Sequence, residues 1–167
     1  MNPNLLFDFT VNKENKTIHV KREFNAELKL VWKAWTTAEI LDQWWGPAPW
    51  RAETKLMDFR PGGYWLYAMV SPEGEKHWSR LNYLNIETEK SFTSKDGFSD
   101  ENGVMNPDFP QNMWENQFID QKEKTLVSMV LRFDSLEDLE TIIAMGFKEG
   151  FTAGMNQLDG VLENLKN

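Results

Sequence analysis

The order of segments along the chain constrains its fold more than any single motif does. A predicted helix pair with a Trp-rich tail, ending near Trp50, precedes a long run of strand-like segments. A helical stretch punctuated by glycines, from Ser135 to Leu165, follows the strands. One helix pair, one antiparallel sheet and one long terminal helix indicate an α+β fold in which a curved sheet wraps around the last helix. Such an arrangement can enclose a cavity.

Eight segments have the composition and periodicity of β-strands, and turn residues separate them. The predicted strands cover residues 5–11, 17–24, 50–56, 64–71, 77–86, 91–98, 113–119 and 125–133. The length of 167 residues is typical of one domain. We therefore expect a single domain over residues 1–167, in which residues 1–16 form an N-terminal extension or an extra strand.

Helical periodicity begins after the second predicted strand. Leu28, Val31, Trp32 and Trp35 recur at intervals of three and four, which predicts a helix that buries one stripe, with Asn25 as its N-cap. A capping-box spacing then recurs twice. Thr36 with Glu39 predicts a second short helix, and Ser135 with Asp138 predicts the start of the last helical stretch.

Three glycines mark one face of that last stretch. Gly146, Gly150 and Gly154 recur at every fourth residue, although each interior glycine costs about 1 kcal/mol relative to alanine. The spacing indicates that the helix approaches the rest of the fold closely there, or leaves space above it. We expect a kink near Gly146.

Charge and composition exclude several classes of partner. The 26 acidic and 18 basic residues give a net charge of −8, which opposes binding to nucleic acid or to anionic membranes. The chain has no cysteine, so a disulfide, a thiolate metal site and a thiol nucleophile are excluded. No signal peptide and no apolar run of about 20 residues is present. A cytoplasmic protein without membrane insertion is expected.

Few side chains in the sequence indicate a catalytic, cofactor or metal site. No phosphate-cradling, dinucleotide-binding or nucleophile motif occurs, so the sequence predicts no cofactor, no metal ion and no catalytic residue. Arg22 lies on an apolar strand face, where it needs a partner such as Asp58 or Glu115, or receives the anionic head group of a ligand. His77 is either an exposed strand residue or a general base.

Four short motifs carry a resemblance to a known family. Residues 31–36 read VWKAWT, residues 41–47 LDQWWGP, residues 59–63 FRPGG and residues 145–151 MGFKEGF. Their order over residues 17–165 resembles the activator-of-Hsp-90-ATPase C-terminal-domain-like family, within the SRPBCC superfamily of START-type and birch-pollen-allergen-like proteins. The resemblance implies a helix-grip fold with a hydrophobic cavity between the sheet and the last helix.

The leading functional hypothesis is that this cavity binds a small apolar or aromatic ligand. The predicted ligand-binding residues are the aromatic and Met side chains of two strands and the last helix, together with one arginine: Trp65, Tyr67, Met69, Trp114, Phe118, Phe151, Met155 and Arg22. The opposite strand face, with Tyr64, Leu66 and Ala68, is nearly as apolar and is the alternative wall. If the side chains interdigitate and leave no room, the hypothesis loses its basis.

Two other hypotheses stay open. A chaperone-associated interaction module would require an exposed apolar patch around Trp44, Trp45 and Trp50. An enzyme of the cyclase or hydrolase kind would use His77 or Asp58 together with Arg22. In each case we expect a monomer or a weak homodimer.

Overall fold

The computed structural model describes residues 4–166, which contain eight strands and four helices. The strands are β1 (Phe7–Asn12), β2 (Thr17–Phe24), β3 (Arg51–Met57), β4 (Tyr64–Val70), β5 (Lys76–Glu87), β6 (Ser91–Ser99), β7 (Asn112–Gln121) and β8 (Lys124–Phe133). The helices are α1 (Leu28–Thr36), α2 (Ala38–Trp44), α3 (Leu136–Ala144) and α4 (Phe147–Leu165). All eight predicted strands and the helix pair are present.

The strands form one antiparallel sheet in the order β1-β2-β8-β7-β6-β5-β4-β3. The strand before residue 17 is β1, which pairs with β2 at one edge of the sheet. The inner face of the curved sheet packs on α1, α2 and α4, and their buried side chains form one hydrophobic core. This is the predicted helix-grip arrangement. No helix within residues 4–166 has the length and apolar character needed to cross a membrane.

Strand β4 is apolar on both faces because both faces are covered. Trp65 and Tyr67 belong to the core on the inner face. Leu66 and Ala68 are buried on the opposite face. The long loop between β6 and β7 folds over that outer face, where Gly103 lies beside Leu66. The face that carries Trp65 and Tyr67, which the sequence analysis favoured, is therefore the inner wall.

Two of the predicted helix caps are wrong. The N-cap of α1 is Glu27 rather than Asn25, and it makes no side-chain capping bond. The N-cap of α2 is Thr37, while the hydroxyl of Thr36 donates to the carbonyl oxygen of Trp32 inside α1. These short helices are fixed by the apolar faces that they bury. The predicted cap at Ser135 is confirmed, since its side chain accepts from the Asp138 N–H at 3.1 Å.

The predicted kink near Gly146 is a complete break between α3 and α4. Gly146 has φ +89°, a left-handed conformation that glycine adopts readily, and it is the N-cap of α4. Gly150 and Gly154 differ in their surroundings. A Cβ at Gly150 would meet only Pro47 Cγ at 3.7 Å, whereas a Cβ at Gly154 would lie 3.1 Å from the carbonyl oxygen of Trp44. Only Gly154 permits a close approach between α4 and the end of α2.

We expect Gly154→Ala to destabilise the protein and Gly160→Ala to stabilise it. A Cβ at Gly154 would press on a backbone carbonyl, and overpacking typically costs about 1–3 kcal/mol. A Cβ at Gly160 meets nothing within 4 Å, so the helix gains about 0.5–1 kcal/mol. Urea unfolding of both variants measures the difference. Equal midpoints would show that α4 has room to shift at Gly154.

Candidate ligand-binding site

Aromatic side chains from the sheet and the helices fill the space between β4, β7 and α4. The rings of Trp65 and Tyr67 stack at 4.2 Å between centroids on the inner face of β4. On β7, Trp114 and Phe118 are buried on the same face. The predicted wall residues on the two strands therefore do share one interior.

This interior is almost completely filled. The remaining void has a volume of about 10 Å³, enough for about one water molecule. Ligand pockets of drug-sized molecules have volumes of roughly 300–1,000 Å³. The expected open cavity is thus absent from this conformation, because large rings from three helices and the sheet interdigitate. Binding in a preformed cavity therefore loses its basis, and a ligand could enter this interior only if one of the rings moved aside. Four of the side chains around the void are tryptophans: Trp35, Trp45, Trp65 and Trp114.

Trp45 is the half-buried member of this group, and it lies directly after α2. Its ring contacts those of Trp65, Tyr67, Trp114 and Phe151 at centroid distances between 5.5 and 6.4 Å. Its indole Nε1–H donates to the Tyr67 hydroxyl at 2.9 Å. Among the void-lining residues in the described part of the chain, Trp45 alone is partly exposed, so it is the lining residue nearest to the outside.

The backbone around Trp45 is anchored to α4. The side chain of Gln157 donates to the carbonyl oxygens of Trp44 and Gly46 at 3.1 and 2.8 Å, and it accepts from the Ala48 N–H at 2.7 Å. These three bonds and the close approach at Gly154 hold the segment in place. Any opening at this point therefore involves the Trp45 side chain more than its backbone.

A polar cluster lies on the inner faces of β6 and β7, which the sequence reasoning missed. Asp96 and Ser94 point inward on β6, and the Ser94 hydroxyl donates to Asp96 Oδ1 at 2.6 Å. Asn116 lies on β7, and its Nδ2–H donates to the Phe92 carbonyl oxygen at 3.5 Å. Ser94, Asp96 and Asn116 all line the void. The alternation of residues 91–98 contained the signal, since it places Phe92, Ser94 and Asp96 on one face.

Burial controls the ionisation of this cluster. Removal from water raises the pKa of Asp96 well above its ordinary value, and the hydrogen bond from Ser94 only partly opposes the effect. Burial also raises the pKa of Tyr83, with a further contribution from the nearby Asp96. The pKa of Tyr67 rises to about 12 for the same main reason. The cluster thus favours neutral groups.

We expect the free energy of unfolding of Asp96→Asn to fall less than that of the parent as pH rises. A carboxyl group whose pKa is raised by folding binds more protons in the folded state, so its contribution to stability is complete below about pH 4 and is lost as pH rises toward the folded pKa. The free energy of unfolding should fall by up to about 1.4 kcal/mol per pH unit in that window. Asparagine has nearly the same shape and no such titration.

Urea unfolding between pH 4 and 8 measures this effect, with the exposed Asp134→Asn as the matched control. The stability of Asp96→Asn relative to the parent should rise with pH, and Asp134→Asn measures the background effect of removing one surface carboxylate. Parallel curves for the parent and Asp96→Asn would show that Asp96 stays ionised in the folded protein.

The other predicted ligand-binding residues lie at different depths. Met155 of α4 is fully buried in the core. Met69 is half-buried and packs against this core. Phe151 is half-buried and packs on Trp45 and Trp114, at the outer side of the void.

Arg22 is fully buried on β2 but lies apart from the void. Its guanidinium group donates to both carboxylate oxygens of Asp159 at 3.2 and 2.7 Å, and to Asn156 Oδ1 at 3.2 Å. The predicted partners Asp58 and Glu115 are wrong, because they pair with the exposed side chains of Arg60 and Arg132. The partner comes from α4, which the sequence spacing did not relate to β2.

The structure does not form the geometry that the interaction-module and enzyme hypotheses require. Trp44 is fully buried, and Trp45 and Trp50 are half-buried, so the expected exposed patch is not formed. His77 is exposed beside the ring of Trp50, opposite Met69 near the start of β5. His77, Asp58 and Arg22 therefore occupy separate places and form no common acid–base site.

The sheet, the helix pair and the long α4 around an aromatic interior define a helix-grip protein of the SRPBCC superfamily. The chain belongs to the family described as Activator of Hsp90 ATPase homolog 1-like protein, whose model matches residues 25–163. A comparison with curated proteins gave no match.

Solved structures of bacterial proteins share this fold. An NMR structure of a protein from Arthrobacter aurescens is 27% identical, with a TM-score of 0.88 over 94% of this chain and 91% of that one. A crystal structure of a protein from Mycobacterium smegmatis is 29% identical, with a TM-score of 0.86 over 95% and 96%. An X-ray structure of a protein from Nitrosomonas europaea, at 24% identity, has a similar fold with a TM-score of 0.80 over 91% and 97%.

Proposed function

We propose that this protein binds a small apolar or aromatic molecule between the inner face of the sheet and α4, after the Trp45 side chain moves aside. The observation that carries the proposal is the position of Trp45, a half-buried ring between the internal void and the outside. A ligand that replaces this ring meets the rings of Trp65, Tyr67 and Trp114, which Trp45 now covers.

The side chains around Trp45 suit such an exchange. An aromatic ligand that takes the place of the indole restores the edge-to-face contacts that the displaced ring made with its neighbours. Met155 is unbranched and adapts its shape to a new neighbour, and it lies buried in the same core. The one hydrogen bond lost inside is the bond from Trp45 to Tyr67, and an indole N–H that moves outward can bond to water.

A calorimetric titration with naphthalene and 2-naphthol tests this function. We expect saturable binding of at least one probe, and a melting temperature that rises with probe concentration because the ligand binds only the folded state. Trp65→Phe should weaken binding, since Trp65 lies under Trp45. Trp78→Phe is the matched control, because Trp78 is on the outer face of β5 beside Lys55 and Lys76. No saturable binding of either probe would overturn the proposal.

A further inference from the structure

We infer that the interior site selects a neutral aromatic molecule carrying a hydrogen-bond donor such as a hydroxyl, and recognises that donor through Asn116, beside the hydrogen-bonded pair of Ser94 and Asp96. The inference rests on the binding function proposed above and adds the chemical class of the ligand. The inference is based on a group of buried polar side chains that packing of the aromatic core does not explain.

Asn116 has an unused acceptor. Its side chain is 3% exposed, and its Oδ1 has no hydrogen-bond partner among residues 4–166. A buried acceptor without a partner is uncommon and costs roughly 1–3 kcal/mol. Because Asn116 lines the void, a donor placed there would satisfy the oxygen.

The strand register places Ser94 near this acceptor. Phe92 of β6 is directly opposite Asn116 of β7, so Ser94 is its diagonal neighbour on the same face. Asp96 follows two residues further along that face and is bonded to Ser94. Asp96 lies opposite Asn112, four residues from Asn116 along β7, so a ligand hydroxyl between the strands can donate to Asn116 Oδ1 beside Ser94 but does not reach Asp96 as well.

The surroundings oppose a charged ligand. None of the side chains around the void within the described part of the chain is basic. The guanidinium group of Arg22 is already paired with Asp159 and does not line the void. A carboxylate at this position would be buried without a partner, which costs far more than burial of a neutral hydroxyl. An ammonium group would require Asp96 to ionise in a closed interior, where desolvation opposes the gain from pairing.

Calorimetry with four naphthalene probes at pH 7 separates these possibilities. The probes are 2-naphthol, 2-methoxynaphthalene, 2-naphthoate and 2-(aminomethyl)naphthalene, which share one apolar body. We expect 2-naphthol to bind at least about tenfold more tightly than 2-methoxynaphthalene, because only the hydroxyl can donate to Asn116. The anionic and cationic probes should bind more weakly than 2-naphthol.

Asn116→Leu, which has a similar size and no acceptor, should abolish the preference for 2-naphthol while 2-methoxynaphthalene still binds. Gln117→Leu is the matched control, because Gln117 is the exposed next residue on β7 and its replacement should leave the preference unchanged. The ratio of the two affinities in the unmodified protein decides the question even if Asn116→Leu does not fold.

Each of the remaining outcomes refutes one specific claim. Equal affinities for 2-naphthol and 2-methoxynaphthalene would leave cavity binding intact and refute recognition by Asn116, as expected if its oxygen only holds an internal water. Tighter binding of the anionic or cationic probe would refute the selection of neutral ligands. Failure of all four probes would refute the binding function itself.

Discussion

Asp159→Ala is expected to destabilise the protein by about 3–5 kcal/mol, because it leaves the fully buried guanidinium group of Arg22 without its counterion. Asn156 and the Glu23 carbonyl oxygen would still accept hydrogen bonds from Arg22, but neither carries a charge. The ion pair joins β2 to α4, so its loss weakens the contact between the sheet and the helix. Urea unfolding at pH 7 measures the change.

Two comparisons make the Asp159 result specific. Asp58→Ala removes the exposed ion pair with Arg60 and should cost less than about 1 kcal/mol. The double variant with Arg22→Met and Asp159→Ala should recover much of the stability, since it removes the buried charge together with its partner. If Asp159→Ala cost no more than Asp58→Ala, the pair would not hold α4 against the sheet.

Trp45→Ala is expected to lower the free energy of unfolding by about 2–4 kcal/mol and to strengthen the binding of naphthalene. Replacing a buried Trp by Ala costs about 3–5 kcal/mol, and the half-buried position of Trp45 reduces the effect. Binding gains because the ligand no longer has to displace the ring. If the open conformation makes up a tenth of the parent population or less, the affinity rises at least about tenfold.

Trp50→Ala is the control for this variant. Trp50 is also half-buried, but its ring contacts His77 rather than the residues around the void. It should change the affinity for naphthalene little. An unchanged affinity in Trp45→Ala, with the protein folded, would show that Trp45 does not control access to the interior.

Most of the fold follows from local sequence patterns. Alternation located every strand end to within two residues because the inner face of the sheet is buried and the turns are marked by glycine and proline. The cap at Ser135 was predictable because its hydroxyl and the Asp138 N–H are three residues apart. Local patterns do not contain the register shift in β3, after which the side chain of Leu56 is exposed.

The site depends on distances that local patterns do not contain. The partner of Arg22 is 137 residues away, and nothing in the sequence distinguishes Asp159 from the other carboxylates. The closed interior reflects how rings from α1, α2, α4 and the sheet interdigitate, and composition predicts aromatic content without predicting the volume left between rings. In the sequence Asp96 is one acidic residue of a polar segment, whereas the register places it opposite Leu81 and Asn112 and near Tyr83.

The most direct test of the account is the ¹H–¹⁵N spectrum of the eight Trp indole groups during titration with 2-naphthol. We predict that the Nε1–H signal of Trp45 shifts most, because its bond to Tyr67 is broken when the ring moves. The signals of Trp65 and Trp114 should shift with the same midpoint, while those of Trp50 and Trp78 stay in place. A saturable change confined to Trp50 or Trp78, with Trp45 unaffected, would contradict binding in the interior.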